Sequence, residues 1–237
     1  MNQTDSDCEE LTATDNSSDI PDDAWQVLKN DLSSSRVEKL EKAASLRTDT
    51  VRLVIQDVHD PHNVSACLRS AEAFGIQHVH VITLGQSFRP TTVARGVKNW
   101  LTIHKHDSIE ECVRELKKNG FLICAGMPGG DSVPLEALPI REEAPLAILF
   151  GNEHAGVSPD WDQVIDQKFT IPMNGLVESL NISVSAAVCM HFLTLKAREY
   201  LKDKYYLTEP KKRALLNVWC SRTVKNWEKR YERLKNP

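Results

Sequence analysis

Residues 146–187 read LAILFGNEHAGVSPDWDQVIDQKFTIPMNGLVESLNISVSAA, and this stretch decides the fold. Two short apolar runs, LAILF and KFTIPM, each end in glycine, proline and polar residues, as buried strands do where they pass into loops. The segment that begins SLNISVSAA is rich in small and apolar residues and predicts a long helix. The stretch therefore predicts two strands, each followed by a polar loop, with a helix after the second loop.

The same alternation extends towards the N-terminus. VRLVIQDV, HVHVIT and FLICAG read as further buried strands. NVSACLRSAEAFG and SIEECVRELKKNG read as helices closed by glycine, with Ser108 as N-cap of the second and Glu111 as its capping-box partner. Strands that are apolar throughout and alternate with helices predict an α/β fold, with a mostly parallel sheet that carries helices on both faces. We expect this core over residues 51–200.

Three segments lie outside the predicted core. Residues 1–23 contain eight acidic residues and no Lys or Arg, and this composition predicts a disordered acidic lead. Residues 24–50 form a predicted N-terminal helical extension. Residues 201–237 predict a basic amphipathic C-terminal helix that packs on the core domain or on a partner subunit. One stripe of this helix contains Leu216, Trp219, Thr223, Trp227 and Tyr231.

Composition excludes several classes of protein. The chain has 237 residues, of which 41% are hydrophobic and 26% charged, as in ordinary soluble domains. No apolar run approaches the roughly 20 residues of a membrane span. The N-terminus has no apolar stretch with a cleavage site, so we expect no signal peptide. The six cysteines show no CxxC spacing, and we expect reduced core thiols, no metal site and a cytoplasmic location.

Polar residues cluster at three predicted strand ends, where parallel sheets bind ligands. In the first cluster, DVHDPHN, Asn63 reads either as an N-cap or as a site residue. Arg69 on the following helix reads either as a surface arginine or as an enclosed guanidinium that recognises phosphate or carboxylate. In the second cluster, FGNEHAG, Glu153 reads as a cap of the next turn or as a functional carboxylate. In the third, IPMNGLVESLN, Ser179 and Asn181 read as helix caps or as walls of a pocket.

Three segments taken together resemble a known family. NVSACLRSAEAFG, LAILFGNEHAG and IPMNGLVESLNISVSAA are similar to the three ordered motifs of the SpoU/TrmH family of SPOUT-class RNA ribose 2′-O-methyltransferases. The likeness covers about residues 51–195, and VHDPHNVSA with the flanking extensions is most similar to the branch that acts on guanosine 18 of the tRNA D-loop. The sequence departs from the family at Ser70, where Thr is commoner, and at Asn152, where Gln is commoner.

The resemblance implies a C-terminal trefoil knot, bound S-adenosyl-methionine, and a homodimer with active sites at its interface. It implies that Arg69 anchors the target phosphate and stabilises the developing alkoxide, with the general base left open. The implied catalytic residues are Asn63, Arg69, Glu153, Ser179 and Asn181, and the implied cofactor-binding residues are Gly126, Gly151, Ile171, Met173 and Leu180. The basic tail is expected to bind tRNA through Lys211, Lys212, Arg213, Arg222 and Lys225.

Other functions stay open at this point. The chain could methylate another tRNA or ribosomal-RNA nucleotide, or be a knotted RNA-binding protein without catalysis. A flavodoxin-like or Rossmann enzyme is a further class, but GNEHAG matches neither the GxGxxG fingerprint nor the phosphate-binding P-loop.

Overall fold

The computed structural model describes residues 19–58, 60–83 and 95–236. Within this range the chain forms two compact units. Of the described residues, the first unit comprises those between 49 and 205, and the second combines 19–48 with 206–236. Residues 1–18 lie outside the described part, so the disorder expected for the acidic lead stays a prediction.

The described residues contain a seven-stranded parallel sheet, all of it in the first unit. The strands are β1 Val51–Gln56, β2 His78–Ile82, β3 Thr102–His106, β4 Leu122–Gly126, β5 Val133–Pro134, β6 Leu146–Phe150 and β7 Gln167–Thr170. Their order in the sheet is β3-β2-β1-β6-β4-β7-β5, and every neighbouring pair is parallel. The α/β class and the parallel sheet predicted from the sequence are confirmed.

The helices connect the strands and form the second unit. In chain order they are α1 Ala24–Leu28, α2 Ser34–Ser45, α3 Pro61–Ala73, α4 Arg95–Lys98, α5 Ile109–Lys118, α6 Ile182–Leu201, α7 Glu209–Thr223 and α8 Trp227–Lys235. None of the described helices is long and apolar enough to cross a bilayer.

Local sequence explains most element boundaries in the first unit. Gly75 and Gly120 follow α3 and α5 with φ of 78° and 77°, a conformation that favours glycine. The Ser108 hydroxyl accepts a hydrogen bond from the Glu111 amide at 3.2 Å, as predicted for the N-cap of α5. Glu111 accepts from the amide of Asp107, one residue before the expected partner. Every residue of β1 and of β6 is buried.

The C-terminal tail differs from its prediction. The sequence predicted one continuous helix, but the chain leaves α7 at Val224 and turns at Asn226, whose φ of 55° is left-handed, before α8 begins. The apolar stripe packs on the N-terminal helices of the same unit, a partner that the prediction did not name. Asn217 accepts a hydrogen bond from the Trp25 amide at 2.8 Å, and the ring of Trp219 lies beneath the Arg47 guanidinium at 5.2 Å.

Candidate functional site

A cavity of about 540 Å³ opens at the carboxyl ends of β4, β6 and β7. Its volume falls in the range of small-ligand pockets. The loops that follow the three strands form its walls, together with the first turn of α6. All five residues predicted to bind the cofactor line it: Gly126, Gly151, Ile171, Met173 and Leu180. Their binding role itself stays a prediction.

Three glycines allow the backbone to close around this cavity. A Cβ on Gly151 would lie 2.0 Å from the carbonyl oxygen of Gly156, a distance that no side chain tolerates. A Cβ on Gly126 would meet the Phe150 ring at 2.9 Å. Gly156 itself has a φ of 71° and is strained for other residues. The loop from Gly151 to Gly156 therefore depends on glycine at both ends.

Three of the predicted catalytic side chains meet in a hydrogen-bonded chain. The Asn63 side-chain amide donates to the Glu153 carboxylate at 3.0 Å, and the Asn63 side-chain oxygen accepts from Asn181 Nδ2 at 3.1 Å. Asn181 Oδ1 in turn accepts from the Ser183 amide at 2.8 Å and so caps α6. Asn63 and Glu153 are 90 positions apart in the sequence, and Asn63 and Asn181 are 118 apart, yet the three side chains meet. Each of the three sequence motifs contributes one of them.

The structure corrects one capping interpretation from the sequence, that of Asn63. Asn63 is the third residue of α3, and the N-cap is Asp60, whose carboxylate accepts from the His62 amide at 2.8 Å. Glu153 bonds to Asn63, whereas the caps of the following turn come from Asn152. The sequence could not separate these readings because Asn, Asp and Glu serve both as caps and as site residues.

The other two predicted catalytic residues, Ser179 and Arg69, take no part in this series of hydrogen bonds. Ser179 is exposed and lines the cavity. Arg69 is exposed on α3 and does not line the cavity. Among the described residues the structure gives Arg69 no hydrogen-bond or ion-pair partner. In the single chain Arg69 is therefore a surface arginine. The alternative interpretation, an enclosed guanidinium, is not seen among the described residues.

The sequence did not identify several residues that line the cavity. They are Met127, Pro128, Phe169, Thr170, Glu178 and Ser185. Met127 and Thr170 lie at or just after the ends of predicted strands, so the rule that ligands bind at strand ends could have included them. Ser185 lies in the first turn of α6, and its amide donates to the Asn181 carbonyl at 2.9 Å.

The thiol of Cys67, on the same helix as Asn63, is not a nucleophile. Cys67 is buried on α3, and burial, followed by the Glu153 carboxylate, raises the pKa of its thiol to about 12. A neutral thiol has little reactivity. The described cysteines at 67, 112, 124, 189 and 220 are all free and buried, as the sequence predicted; Cys8 lies outside the described residues.

A second polar cluster lies between β2, β3 and α5. It places two sets of potential metal ligands within 4.8 Å of one another: His80, His106 and Cys112, and His80, His104 and Glu115. His80 Nδ1 and His106 Nε2 are 2.9 Å apart, and the two ring planes lie within 5° of parallel. This is the geometry of an N–H···N hydrogen bond. The Arg52 guanidinium, which can only donate, lies 3.3 Å from His80 Nε2. Both His80 nitrogens thus form hydrogen bonds, and we interpret this cluster as a hydrogen-bonded histidine network.

The histidine network is neutral at pH 7. Burial, then the neighbouring His104 and Arg52, lower the pKa of His80 far below its usual value of 6.5. Burial, then His78 and Arg52, lower the pKa of His104 to about 3, although its Nδ1 lies 2.9 Å from the Glu115 carboxylate. Burial also lowers the pKa of His106, and Glu115 partly opposes this.

The basic residues predicted to bind RNA all lie in the second unit. Lys211, Lys212 and Arg213 are on the first turns of α7, Arg222 is in its last turn, and Lys225 is in the turn before α8. Lys211, Arg213 and Lys225 are exposed. Lys212 is paired with Glu209 at 2.5 Å. Further along the tail, Arg230 and Arg233 pair with Asp31. Part of the positive charge of the C-terminal tail is therefore neutralised by carboxylates of the same chain.

Comparison with known proteins supplies independent information on this site. The family model described as "SpoU rRNA Methylase family" matches residues 50–191. The chain is 31% identical over 204 residues to a tRNA (guanosine(18)-2′-O)-methyltransferase from Borreliella burgdorferi, which covers 85% of this chain and 92% of the relative. It is similar to the crystal structure of the A. aeolicus TrmH/SpoU tRNA modifying enzyme, with a TM-score of 0.70 and 26% identity over 80% of this chain and 97% of the other. The fold also matches the SpoU methyltransferase AviRb from Streptomyces viridochromogenes in complex with AdoMet, with a TM-score of 0.54 and 20% identity over 67% and 64% of the two chains.

Proposed function

Because this chain belongs to the SpoU methylase family, we propose that it transfers a methyl group from S-adenosyl-methionine to the ribose 2′-oxygen of guanosine 18 in the D-loop of tRNA. The observation that carries this proposal is the union of Asn63, Glu153 and Asn181 beside the cavity. The relative from Borreliella burgdorferi, named for the same reaction, aligns with 85% of this chain, and 92% of its own length is covered.

The cavity fits S-adenosyl-methionine. Its volume of about 540 Å³ suits a nucleoside with an amino-acid tail. Backbone groups of the loops after β4, β6 and β7 surround it, and Phe150, Phe169 and Met173 supply apolar wall. Bound there, the cofactor would supply an electrophilic methyl group on its sulfonium. The residues expected to hold it are Gly126, Gly151, Ile171, Met173 and Leu180.

The polar side chains would orient the ribose and its phosphate. Glu153 fixes the Asn63 amide, and Asn181 fixes the other end of the same amide, so the orientation of Asn63 is set from both sides. A guanidinium is a poor general base, so we leave the identity of the general base open. We assign Arg69 to the target phosphate and to the alkoxide that develops on the 2′-oxygen, where a forked donor stabilises negative charge. Ser179 at the cavity wall would contact the same substrate.

We further infer a homodimer. Val184, Val188 and Leu195 are exposed along one stripe of α6, and a second copy of the chain would cover them. α3, which carries Arg69, packs against α6. In such a dimer Arg69 of one subunit would face the cavity of the partner, which would account for its isolation in the single chain.

The proposal includes a trefoil knot at the carboxyl end of the sheet. β6 and β7 flank β4, so the connection from β6 to β7 crosses β4 before the chain enters α6. Part of this connection, including Gly151, Glu153 and Val157, lines the cavity. The knotted methyltransferase domain would span residues 51–200, between an N-terminal extension over residues 24–50 and the C-terminal helices over residues 201–237.

The exposed cations of the second unit support tRNA as the partner. Lys211, Arg213 and Lys225 are exposed and are suited to phosphate contacts. A tRNA substrate and reduced thiols are both consistent with action in the cytoplasm.

The experiment is methyl transfer from labelled S-adenosyl-methionine to tRNA and to ribosomal RNA. We expect incorporation into tRNA by the wild type and little by Glu153→Ala, since that change removes one of the two hydrogen bonds that orient Asn63. Incorporation into ribosomal RNA alone would assign the chain to the other substrate class. Binding of tRNA without any incorporation would identify a silent RNA-binding protein.

A further inference from the structure

Asn152 makes more hydrogen bonds than its neighbours in the loop after β6. Its backbone amide donates to the Gly156 carbonyl at 2.8 Å and its carbonyl accepts from the Gly156 amide at 2.9 Å, which closes a five-residue loop. Its side-chain oxygen accepts from the amides of His154 and Ala155 at 2.8 and 2.9 Å. The segment that carries Glu153 is thus fixed from inside by one side chain.

The other end of the Asn152 side chain reaches a different strand. Asn152 Nδ2 donates to the carbonyl oxygen of Asp57 at 2.7 Å. Asp57 is the first residue after β1 and has a left-handed φ of 47°, an unusual conformation for a residue that is not glycine. The connection that starts at Asp57 leads directly to α3 and Asn63. The Asn152 amide therefore links the loop of Glu153 to the connection of Asn63.

Only a primary amide serves both contacts. The oxygen of an amide accepts two hydrogen bonds while its nitrogen donates, whereas a carboxylate accepts alone and a hydroxyl is too short to span the same gap. Asn152 joins the loop that carries Glu153 to Asp57, which precedes α3 in the chain. α3 carries Asn63, the partner of Glu153 in the 3.0 Å bond. The separation of this loop from α3 decides whether that bond forms.

We propose that Asn152 is a positioning residue for methyl transfer, which acts through Glu153 by holding the β1–α3 connection and the β6 loop in register. This inference rests on the proposed function. It assigns Asn152 no contact with the reacting atoms. A displacement of catalytic groups by about 1 Å lowers rates by up to about 100-fold, so the effect belongs in kcat.

The test uses Asn152→Asp in the full-length protein. The carboxylate still accepts from His154 and Ala155, but it turns an oxygen towards the Asp57 carbonyl and loses the donor. We expect kcat for tRNA methylation to fall by about 10- to 100-fold, while the Kd for S-adenosyl-methionine and the Tm change little. Because a protonated carboxyl donates again, the ratio of variant to wild-type rate should rise as the pH falls towards 5. A purely structural role predicts instead a lower Tm with an unchanged kcat.

A double-mutant cycle separates positioning from general loop damage. In the Glu153→Ala background, Asn152→Asp should cause little further loss of kcat, because the group through which it acts is already gone. Ser158→Ala is the matched control. It removes a similar side-chain cap, the 3.3 Å bond from the Asp160 amide, from a residue that does not line the cavity, and it should leave kcat unchanged.

Each outcome decides the proposal. If the wild type transfers no methyl group, the proposed function fails before any variant is compared. If the wild type is active and Asn152→Asp has wild-type kcat, or if its effect is additive with Glu153→Ala, the positioning role is wrong. If Asn152→Asp does not fold, Asn152→Ser, which also loses the donor to Asp57, takes its place. Failure of both variants to fold would assign Asn152 to stability and overturn the proposal.

Discussion

Lowering the pH from 6.5 to 4.5 should destabilise this protein through its buried histidine network. His80 and His104 are held neutral in the folded chain, by burial above all, whereas both would bind protons near pH 6.5 once unfolded. Their folded pKa values are lowered, so the stability that they contribute is present above pH 6.5 and is lost as the pH falls below it.

The magnitude follows from two protons. Each histidine that takes up a proton only on unfolding changes the unfolding free energy by about 1.4 kcal/mol per pH unit, once the pH lies well below 6.5. For His80 and His104 together, the loss between pH 6.5 and 4.5 is about 5 kcal/mol. Total domain stabilities are about 5–15 kcal/mol, so this loss is large enough to bring the protein close to unfolding.

The assay is urea unfolding at a series of pH values and one fixed protein concentration. The test variant is His80→Gln with His104→Gln, in which neutral amides replace both rings. Its unfolding free energy should vary less with pH than that of the wild type, by about 5 kcal/mol over the interval. Contributions from carboxylates that do not contact His80 or His104 are shared by both proteins and cancel in the difference, which leaves Glu115 as the carboxylate that differs. A variant with His154→Gln and His191→Gln, two exposed histidines, controls for the loss of two rings.

The reasoning is refuted if the wild type and the His80/His104 variant show the same pH dependence. That result would mean that the folded network takes up protons as readily as the unfolded chain. The N–H···N assignment between His80 and His106 would then have to be abandoned.

Three further predictions concern the site and the tail. Gly151→Ala should abolish binding of S-adenosyl-methionine in calorimetry, because its Cβ would lie 2.0 Å from the Gly156 oxygen, whereas Gly175→Ala, with nothing within 4 Å, should bind normally. Arg69→Ala should abolish methyl transfer while cofactor affinity and Tm stay near wild type, and Arg69→Lys should rescue poorly because an ammonium lacks the fork; a fully active alanine variant would remove Arg69 from the mechanism. Replacing Lys211, Arg213 and Lys225 with Ala should weaken tRNA binding and flatten its salt dependence; an unchanged salt slope would place the RNA surface elsewhere.

The sequence predicted β1, β2, β4, β6 and β7 and missed β3 and β5. β4 and β6 are continuous apolar runs, whereas β1 and β2 carry buried polar residues among the apolar ones. β3, with the sequence TIHKH, alternates polar residues, and its His106 is buried only because β2 and α5 supply hydrogen-bonding and charged partners. The break between α7 and α8 has neither proline nor glycine. Asn226 adopts the left-handed conformation there, which asparagine tolerates better than most residues. α8 packs against α1, a contact that no local sequence pattern records.

The sequence predicted where the candidate site lies but not the contacts between its side chains. Glycine, proline and polar residues at strand ends indicated where a ligand would bind, and the parallel sheet brought those ends together. That Asn63 bonds to Glu153 while Asp60 caps the helix depends on an ångström-scale separation between loops. The surroundings of Arg69 depend, in our proposal, on a second subunit. Neither property is encoded in the spacing of residues within one chain.

Mapping the methylated nucleotide tests the central claim most directly. Purified protein would be incubated with S-adenosyl-methionine and an unmodified tRNA transcript, and nuclease fragments would be analysed by mass spectrometry. We predict one methyl group, on the ribose of guanosine 18, the nucleotide named for the relative from Borreliella burgdorferi. A transcript that stays unmethylated, or that carries the methyl group on a base or at another nucleotide, would contradict the account.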